Sequence, residues 1–294
     1  MPHPDARTLL RKYGLRAKKT WGQNFLVDER ALDSIVRATG AGPEDTVIEI
    51  GAGLGTLTAR LALAAGRVVA IERDRDMAHI LRAEMAGVER MELHEANALT
   101  FDYAAVSTDG RRPIVVGNLP YQIASQILFR LLAARAHLAR IVVMLQLEMA
   151  ERIVAAPGTP EYGALSVMVR IAADARVLFR VPAGAFLPPP RVTSAVLTIE
   201  PLGTPTRAPL TDEGWFSDVV HAAFGQRRKT LRNALRVLAP DAPDLIERGL
   251  ADAGIDGQAR GETLSVEEFA RLAEALLKST GGRGRATDNR NGGR

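Results

Sequence analysis

The sequence predicts an α/β protein: a mostly parallel sheet with helices on both faces, followed by a small all-helical domain. Three observations predict it. Short β-branched runs alternate with helical patterns over the first two thirds of the chain, as parallel strands joined by crossover helices do. A glycine cluster follows the first of those runs, where a strand hands over to a helix. Beyond residue 202 the strand-like runs stop and helical periodicity takes over.

Thr46–Ile50 is the first apolar run, and it ends in glycines. Arg67–Glu72 (RVVAIE), Met91–His94, Pro113–Asn118 and Arg140–Gln146 are the next strands, with helical patterns over Thr56–Ala65, Asp74–Ala86 and Ile123–Ala134 between them. Arg176–Val181 and Thr193–Glu200 read as a hairpin-like pair at the sheet edge. Leu202 to Leu210 (LGTPTRAPL) has linker composition. Helices are expected over Asp212–Ala223, Lys229–Leu238, Pro243–Ala253 and Ser265–Lys278, the last opened by a capping box of Ser265 and Glu268. The division predicted is 1–202 and 203–280, with a Gly/Arg-rich tail over 281–294 expected to be disordered.

Composition narrows the function classes. The chain has 294 residues, 47% hydrophobic and 24% charged, enough to build packed domains and too apolar for bulk disorder. It has no cysteine, which excludes disulfides, thiolate metal ligation and cysteine nucleophiles. The five histidines are scattered, so no metal is expected. No leader-like or membrane-spanning run is present, and a monomer in a reducing cytoplasm is the expectation. Net charge is only +4, but three stretches concentrate it: six bases against one acid in residues 1–20, five against none in 222–240, and five against one in 276–294. Alone, each is an ordinary solvated surface; together they suggest a nucleic-acid track.

The loop Glu49-Ile50-Gly51-Ala52-Gly53-Leu54-Gly55 lets backbone approach a ligand closely. It reads G-x-G-x-G, with Thr56 where a dinucleotide fingerprint wants glycine, and no Gly-Lys-Ser/Thr follows. A nucleoside ligand without a pyrophosphate fits, and S-adenosylmethionine is of that kind. Glu72, at the end of the second strand, is placed to accept ribose hydroxyls. Asn97, after the third, could accept from the adenine amino group through its side-chain oxygen.

The fourth strand runs into Gly117-Asn118-Leu119-Pro120-Tyr121. An adenine N6 amine is a poor nucleophile because its lone pair is delocalised into the ring. The Asn118 side-chain oxygen and the Pro120 carbonyl could hold its two N–H groups and aim the lone pair, with the Tyr121 ring as a stacking face for an extruded base. No strong base is needed, and catalysis would be positioning and electrostatics.

With these segments in order, the chain resembles the bacterial small-subunit (16S) ribosomal RNA adenine N6-dimethyltransferases. The resemblance rests on Trp21-Gly22-Gln23-Asn24-Phe25-Leu26, Glu49 to Gly55, Gly117 to Tyr121, Ala185-Phe186-Leu187-Pro188-Pro189-Pro190, and Phe224-Gly225-Gln226-Arg227-Arg228-Lys229-Thr230-Leu231-Arg232-Asn233. It covers about residues 14–240. It implies a Rossmann-like S-adenosylmethionine-dependent methyltransferase fold, with S-adenosyl-L-methionine as donor and two adjacent adenines near the 3′ end of 16S rRNA, in the assembling small subunit, as substrate. By resemblance, Asn24 and Leu26 close over the cofactor, Gly51 and Gly53 approach its methionine part, Glu72 holds its ribose, and Asn118 lies beside the methyl. Phe186 would stack on the target base opposite Tyr121. The family usually has Asp where this chain has Asn97.

Arg228, Arg232 and Arg236 recur every four residues, which in one continuous helix makes a stripe for phosphates; Arg227 and Lys229 join it. Arg11, Lys12, Arg16, Lys18 and Lys19 form a second basic run. Two other readings compete: a methyltransferase for large-subunit rRNA adenine, and a non-catalytic nucleic-acid-binding assembly or transcription factor on the same fold. The proline-rich turn and arginine motif argue against the first, and the intact Asn118, Pro120 and Tyr121 against the second.

Overall fold

The computed structural model describes residues 3–17, 23–107, 110–203, 206–226 and 228–281. Trp21, Gly22, Lys18, Lys19, Arg227 and nearly all of the predicted tail lie outside the described residues. In chain order the elements are α1 (Ala6–Lys12), β1 (Phe25–Leu26), α2 (Glu29–Thr39), β2 (Thr46–Ile50), α3 (Thr56–Ala64), β3 (Arg67–Glu72), α4 (Arg75–Glu84), β4 (Met91–Glu95), β5 (Ile114–Asn118), α5 (Ala124–Ala133), β6 (Arg140–Gln146), α6 (Leu147–Val154), α7 (Ala164–Ala172), β7 (Ala173–Val181), β8 (Phe186–Leu187), β9 (Ser194–Pro201), α8 (Glu213–Phe224), α9 (Leu231–Ala234), α10 (Pro243–Asp252) and α11 (Val266–Thr280). Among the described residues no helix is long and apolar enough to cross a membrane.

The main sheet has the order β4-β3-β2-β5-β6-β9-β7. Its first five strands run parallel, and β9 lies antiparallel to β6 with Gln146 opposite Ser194. The predicted late pair therefore does close the sheet, with β7 at the edge. Val47, Ile48, Val68, Val69, Val115, Val116, Ile141 and Val142 are fully buried, as strands covered by helices on both faces require. Each such side chain contributes roughly 1.5–3 kcal/mol relative to exposure. At Gly117 β5 leaves no room for a side chain beside β2: a Cβ there would sit 2.7 Å from the Ile50 carbonyl oxygen.

The helices start where the chain supplies caps. Asp28 and Asp74 accept from Ala31 N and Asp76 N ahead of α2 and α4. Ser265 and Glu268 form the expected reciprocal box on α11. The two-residue strands β1 and β8 pair antiparallel, Phe25 with Leu187 and Leu26 with Phe186, so the segments around Asn24 and Phe186 meet although far apart in sequence.

The chain forms two compact units, 1–150 with 174–201, and 151–173 with 202–294. The expected single boundary at residue 202 is thereby corrected: the 151–173 segment, which carries α7 and the end of α6, belongs with the trailing helices. Its own bonds show why. Tyr162 donates to the Leu264 carbonyl at 2.8 Å and packs edge-on against Phe224, while Gly158 N reaches Glu262 O at 2.8 Å. In the same unit Trp215 Nε1 donates to Ala273 O at 3.0 Å.

The helix expected over 229–238 is also different. Leu231 N and Arg232 N donate to Ala259 O and Gly257 O at 2.8 and 3.0 Å, so the helix opens only there, after extended Thr230. After one turn it tightens into a 3-10 stretch over Leu235–Leu238. Arg228 thus precedes the helix, and a four-residue spacing no longer keeps Arg232 and Arg236 in line.

Candidate active site

The carboxyl ends of β4, β3, β2 and β5 lie side by side, and the order reverses between β2 and β5, where open α/β sheets bind ligands. There a cavity of about 440 Å³ opens, a volume suited to a small molecule. Across the sheet its wall is Ala96 to Ala98 just past β4, Glu72 and Arg73 at the end of β3, Glu49 to Leu54 at the end of β2 and beyond, and Asn118 to Ile123 at the end of β5 and beyond; Gln23 to Leu26 also line it. The strand ends of the main sheet bring Gly51, Gly53, Glu72, Asn97, Asn118, Pro120 and Tyr121 to one cavity, and the segment around β1 adds Asn24 and Leu26.

The glycine loop turns because Gly51, Gly53 and Gly55 take left-handed backbone. Gly53 has φ 55°, and its backbone passes so close to the Phe25 ring that a Cβ would lie 3.4 Å away. A β-carbon there adds strain in a conformation other residues rarely adopt. Glu72 anchors the loop: its Oε2 accepts Gly53 N at 2.8 Å and its Oε1 accepts Asp74 N at 2.7 Å. Each carboxylate oxygen keeps a further lone pair for a ligand hydroxyl. Burial pushes its pKa up and the nearby Asp74 charge adds to that, while the backbone donors oppose both.

Glu49 is a site residue that motif reading passed over. It is 2% exposed, lines the cavity, and its Oε2 has no hydrogen-bond partner among the described residues. Burial raises its pKa to about 8, with Thr58 opposing and Glu72 reinforcing. A buried carboxyl oxygen without a partner fits a ligand that brings a donor, such as an ammonium group.

The Asn118 side chain is oriented by the protein. Its Nδ2 donates to the Asn24 carbonyl at 3.0 Å, so its oxygen is the end left to accept. Leu119 N donates to Met144 O at 3.2 Å, and the Pro120 carbonyl accepts Ile123 N at 3.1 Å, retaining a second lone pair. Tyr121 is half-buried, shares a 2.7 Å hydroxyl–hydroxyl bond with fully buried Ser194 on β9, and is held above the ordinary phenol pKa by burial. Ser194 was not singled out in the sequence, because the tie spans residues 121 to 194 and no local pattern marks it.

One expectation is corrected. Phe186 is 3% exposed, paired with Leu26 in the β1–β8 ribbon and packed into the apolar core beneath it. It does not line the cavity, and its ring offers no open face for a base in this structure. The Asn97 oxygen accepts the Leu99 N–H at 3.1 Å and keeps a second lone pair for a ligand donor.

The N-terminal segment does more than carry charge. Ala6 and Leu9 of α1 pack with Leu54 of the glycine loop and with Met77 and Ile80 of α4. The His3 ring bonds the Leu54 carbonyl at 2.9 Å, Lys12 and Tyr13 both donate to Glu84 at 2.6 Å, and Gln23 donates to Asp74 at 2.7 Å. The apolar spacing of Ala6, Leu9, Leu10 and Tyr13 was the signal for this. Arg11 and Arg16 remain exposed. In the second unit Arg228, Lys229 and Arg236 are exposed, whereas Arg232 pairs with Glu247 at 2.7 Å.

Sheet order, loop and cavity define the class: a Rossmann-like α/β methyltransferase. Comparison carries the assignment further. The model of the family described as "Ribosomal RNA adenine dimethylase" matches residues 14–278, and the chain belongs to that family. Proteins named "Ribosomal RNA small subunit methyltransferase A" from Anaeromyxobacter sp. (strain K) and Myxococcus xanthus (strain DK1622) are 48% and 44% identical to it, over 93% and 92% of this chain and 98% and 94% of their own. Among solved structures, a dimethyladenosine transferase from Plasmodium falciparum shares the fold at TM-score 0.73, with 23% identity over 87% of this chain and 98% of its own. The 23S rRNA methyltransferase ErmE superposes at TM-score 0.62, with 27% identity over 86% and 99%. The chain is an enzyme, an rRNA adenine methyltransferase.

Proposed function

We propose that this enzyme dimethylates N6 of two adjacent adenines in the hairpin near the 3′ end of 16S rRNA, using S-adenosyl-L-methionine, during late small-subunit assembly. The observation that carries the chemistry is the Asn118 carboxamide, locked by the Asn24 carbonyl at 3.0 Å with its oxygen left as an acceptor beside the glycine loop. Glu72 would hold the ribose, Glu49 and the loop the methionine end, and Asn24 and Leu26 would cover it. Bound there, S-adenosylmethionine supplies a methyl carbon made electrophilic by its sulfonium.

The chain's own residues do the rest by positioning. The Asn118 oxygen and the free lone pair of the Pro120 carbonyl each accept one N–H of the target amine. That grip localises the nitrogen lone pair and points it along one line. The Tyr121 ring, braced by Ser194, supplies a face for the extruded base. The methylated nitrogen is acidic and releases its proton without a strong base. Exposed Arg228, Lys229 and Arg236 would meet RNA phosphates, making the helical unit the RNA-binding part. Small-subunit naming of the curated relatives supports the 16S target over the large-subunit one. We further assign it as a cytoplasmic monomer, checked by sedimentation of the purified chain.

The test is Asn118→Ala with undermethylated small subunits and labelled cofactor. Transfer falls by about 100-fold or more, as when one transition-state hydrogen-bonding group is deleted, while S-adenosylhomocysteine affinity stays within about threefold. Mass spectrometry of the 16S rRNA identifies the modified bases. Unimpaired transfer by the variant overturns the role of Asn118, and methylation at other nucleotides overturns the target.

A further inference from the structure

The proline-rich turn between β8 and β9 forms a short arch, residues 188–193, and both of its ends are tied to the wall of the cavity. Before it, Leu187 pairs with Phe25, and Phe25 lines the cavity. After it, the Ser194 hydroxyl bonds the Tyr121 hydroxyl at 2.7 Å, and Tyr121 lines the cavity too. The carbonyl of Thr193 fixes that same end by accepting Leu147 N at 3.0 Å. Three consecutive prolines, Pro188 to Pro190, hold φ fixed along one limb of the arch.

The other limb is open to a partner. Arg191 and Val192 are exposed, Val192 at 42%. Among the described residues the Arg191 side chain has no hydrogen bond or ion pair. Lys12, Arg60 and Arg67 of the same unit each hold a carboxylate, at 2.6, 3.0 and 2.6 Å. A guanidinium that answers no acid of its own chain keeps its planar fork of donors for an outside anion. Three residues of chain span at most about 11 Å, so the Arg191 backbone stands within that distance of Ser194, the residue that braces Tyr121.

We infer that Arg191 binds a backbone phosphate of the RNA strand that delivers the target adenine. The inference rests on the rRNA adenine reading above. It adds an RNA contact on the sheet unit, beside the reacting base, to the one assigned to the helical unit. With its amine held by Asn118 and Pro120 and its ring on Tyr121, an extruded adenosine leaves its sugar and phosphate at the cavity mouth. Extrusion costs stacking and pairing energy, and a charge-assisted grip on the phosphate offsets part of it. The stiff arch loses little freedom in making that grip. Arg191 is thus a substrate-positioning residue that touches neither the cofactor nor the amine.

The experiment compares the native chain with Arg191→Ala, Arg191→Lys and Arg90→Ala on undermethylated small subunits. Arg90 is the control: it is exposed, its side chain is likewise unpaired among the described residues, and it lies just before β4, at the opposite end of the sheet from the cavity. Arg191→Ala is expected to lower kcat/KM about tenfold and to reduce the slope of log affinity against log salt by about one. Arg191→Lys keeps the charge, so its slope stays native. Arg90→Ala stays within about twofold of native in kcat/KM and keeps the slope. S-adenosylhomocysteine affinity, read by calorimetry, stays within about twofold in all four proteins. The inference is overturned if Arg191→Ala keeps the native slope, if its kcat/KM stays within about twofold, or if Arg90→Ala loses as much. If the native chain itself methylates no adenine of the subunits, the proposed function falls instead, an outcome separate from native activity that Arg191→Ala leaves unchanged.

Discussion

Replacing Glu49 by Gln removes one ionisation and almost no volume, and the burial of this side chain sets the size of the effect. The carboxyl is 2% exposed, with one oxygen unpartnered. In the folded chain its pKa is about 8 against an ordinary 4.5, chiefly through burial. The folded state therefore holds the proton over a range in which the unfolded chain has released it. Stability from this group is complete below 4.5, is lost progressively as pH rises, and is gone above about 8. Each pH unit inside that window costs about 1.4 kcal/mol. Between about pH 5.5 and pH 8 the native chain should lose about 3 kcal/mol that Glu49→Gln does not lose. Every other titrating group is common to both proteins and cancels. The assay is urea unfolding followed by circular dichroism at both pH values, comparing how far each protein's stability moves. Parallel movement within about 0.5 kcal/mol would refute the reasoning, because it would mean that Glu49 ionises in the folded chain as freely as in water.

Glu72→Ala should weaken S-adenosylhomocysteine binding by about 10- to 100-fold, since it removes charge-assisted acceptors of roughly 1.5–3 kcal/mol; calorimetry reads it, and an unchanged affinity removes Glu72 from the site. Tyr121→Phe keeps the ring but strands the buried Ser194 hydroxyl, so unfolding should cost about 1–3 kcal/mol less while methyl transfer persists; equal stability would make the bond incidental. Arg228→Ala should lower the slope of log affinity against log salt for RNA by about one. Arg232→Ala should leave the slope closer to native, because its guanidinium is already paired with Glu247; equal losses for the two would show that Arg232 leaves Glu247 for phosphate.

Local patterning was enough to read the elements of the sheet unit and the residue types at their ends. Hydrophobic period and glycine placement are local properties, so strand β2, the loop after it, Glu72, Asn118 and Tyr121 could be read in order, and their adjacency came from the rules of parallel sheets. The capping box at Ser265 is local in the same sense. Relations between distant residues are written in no local pattern and exist only once the chain is folded. Tyr162 and Gly158 bond to Leu264 and Glu262, which moves the 151–173 segment into the helical unit against its place in the chain. Leu231 and Arg232 spend their amides on the loop at 257–259, which breaks an arginine stripe that helical spacing alone would have drawn. Phe186 pairs with Leu26 across 160 positions and is buried, though its motif reads as a stacking residue. Side-chain orientation is the last of these: residue type says that Asn118 carries one acceptor and one donor end, but the Asn24 carbonyl decides which way round the amide sits. A hydrogen bond is a two-body fact, and a one-dimensional pattern holds only one of the bodies.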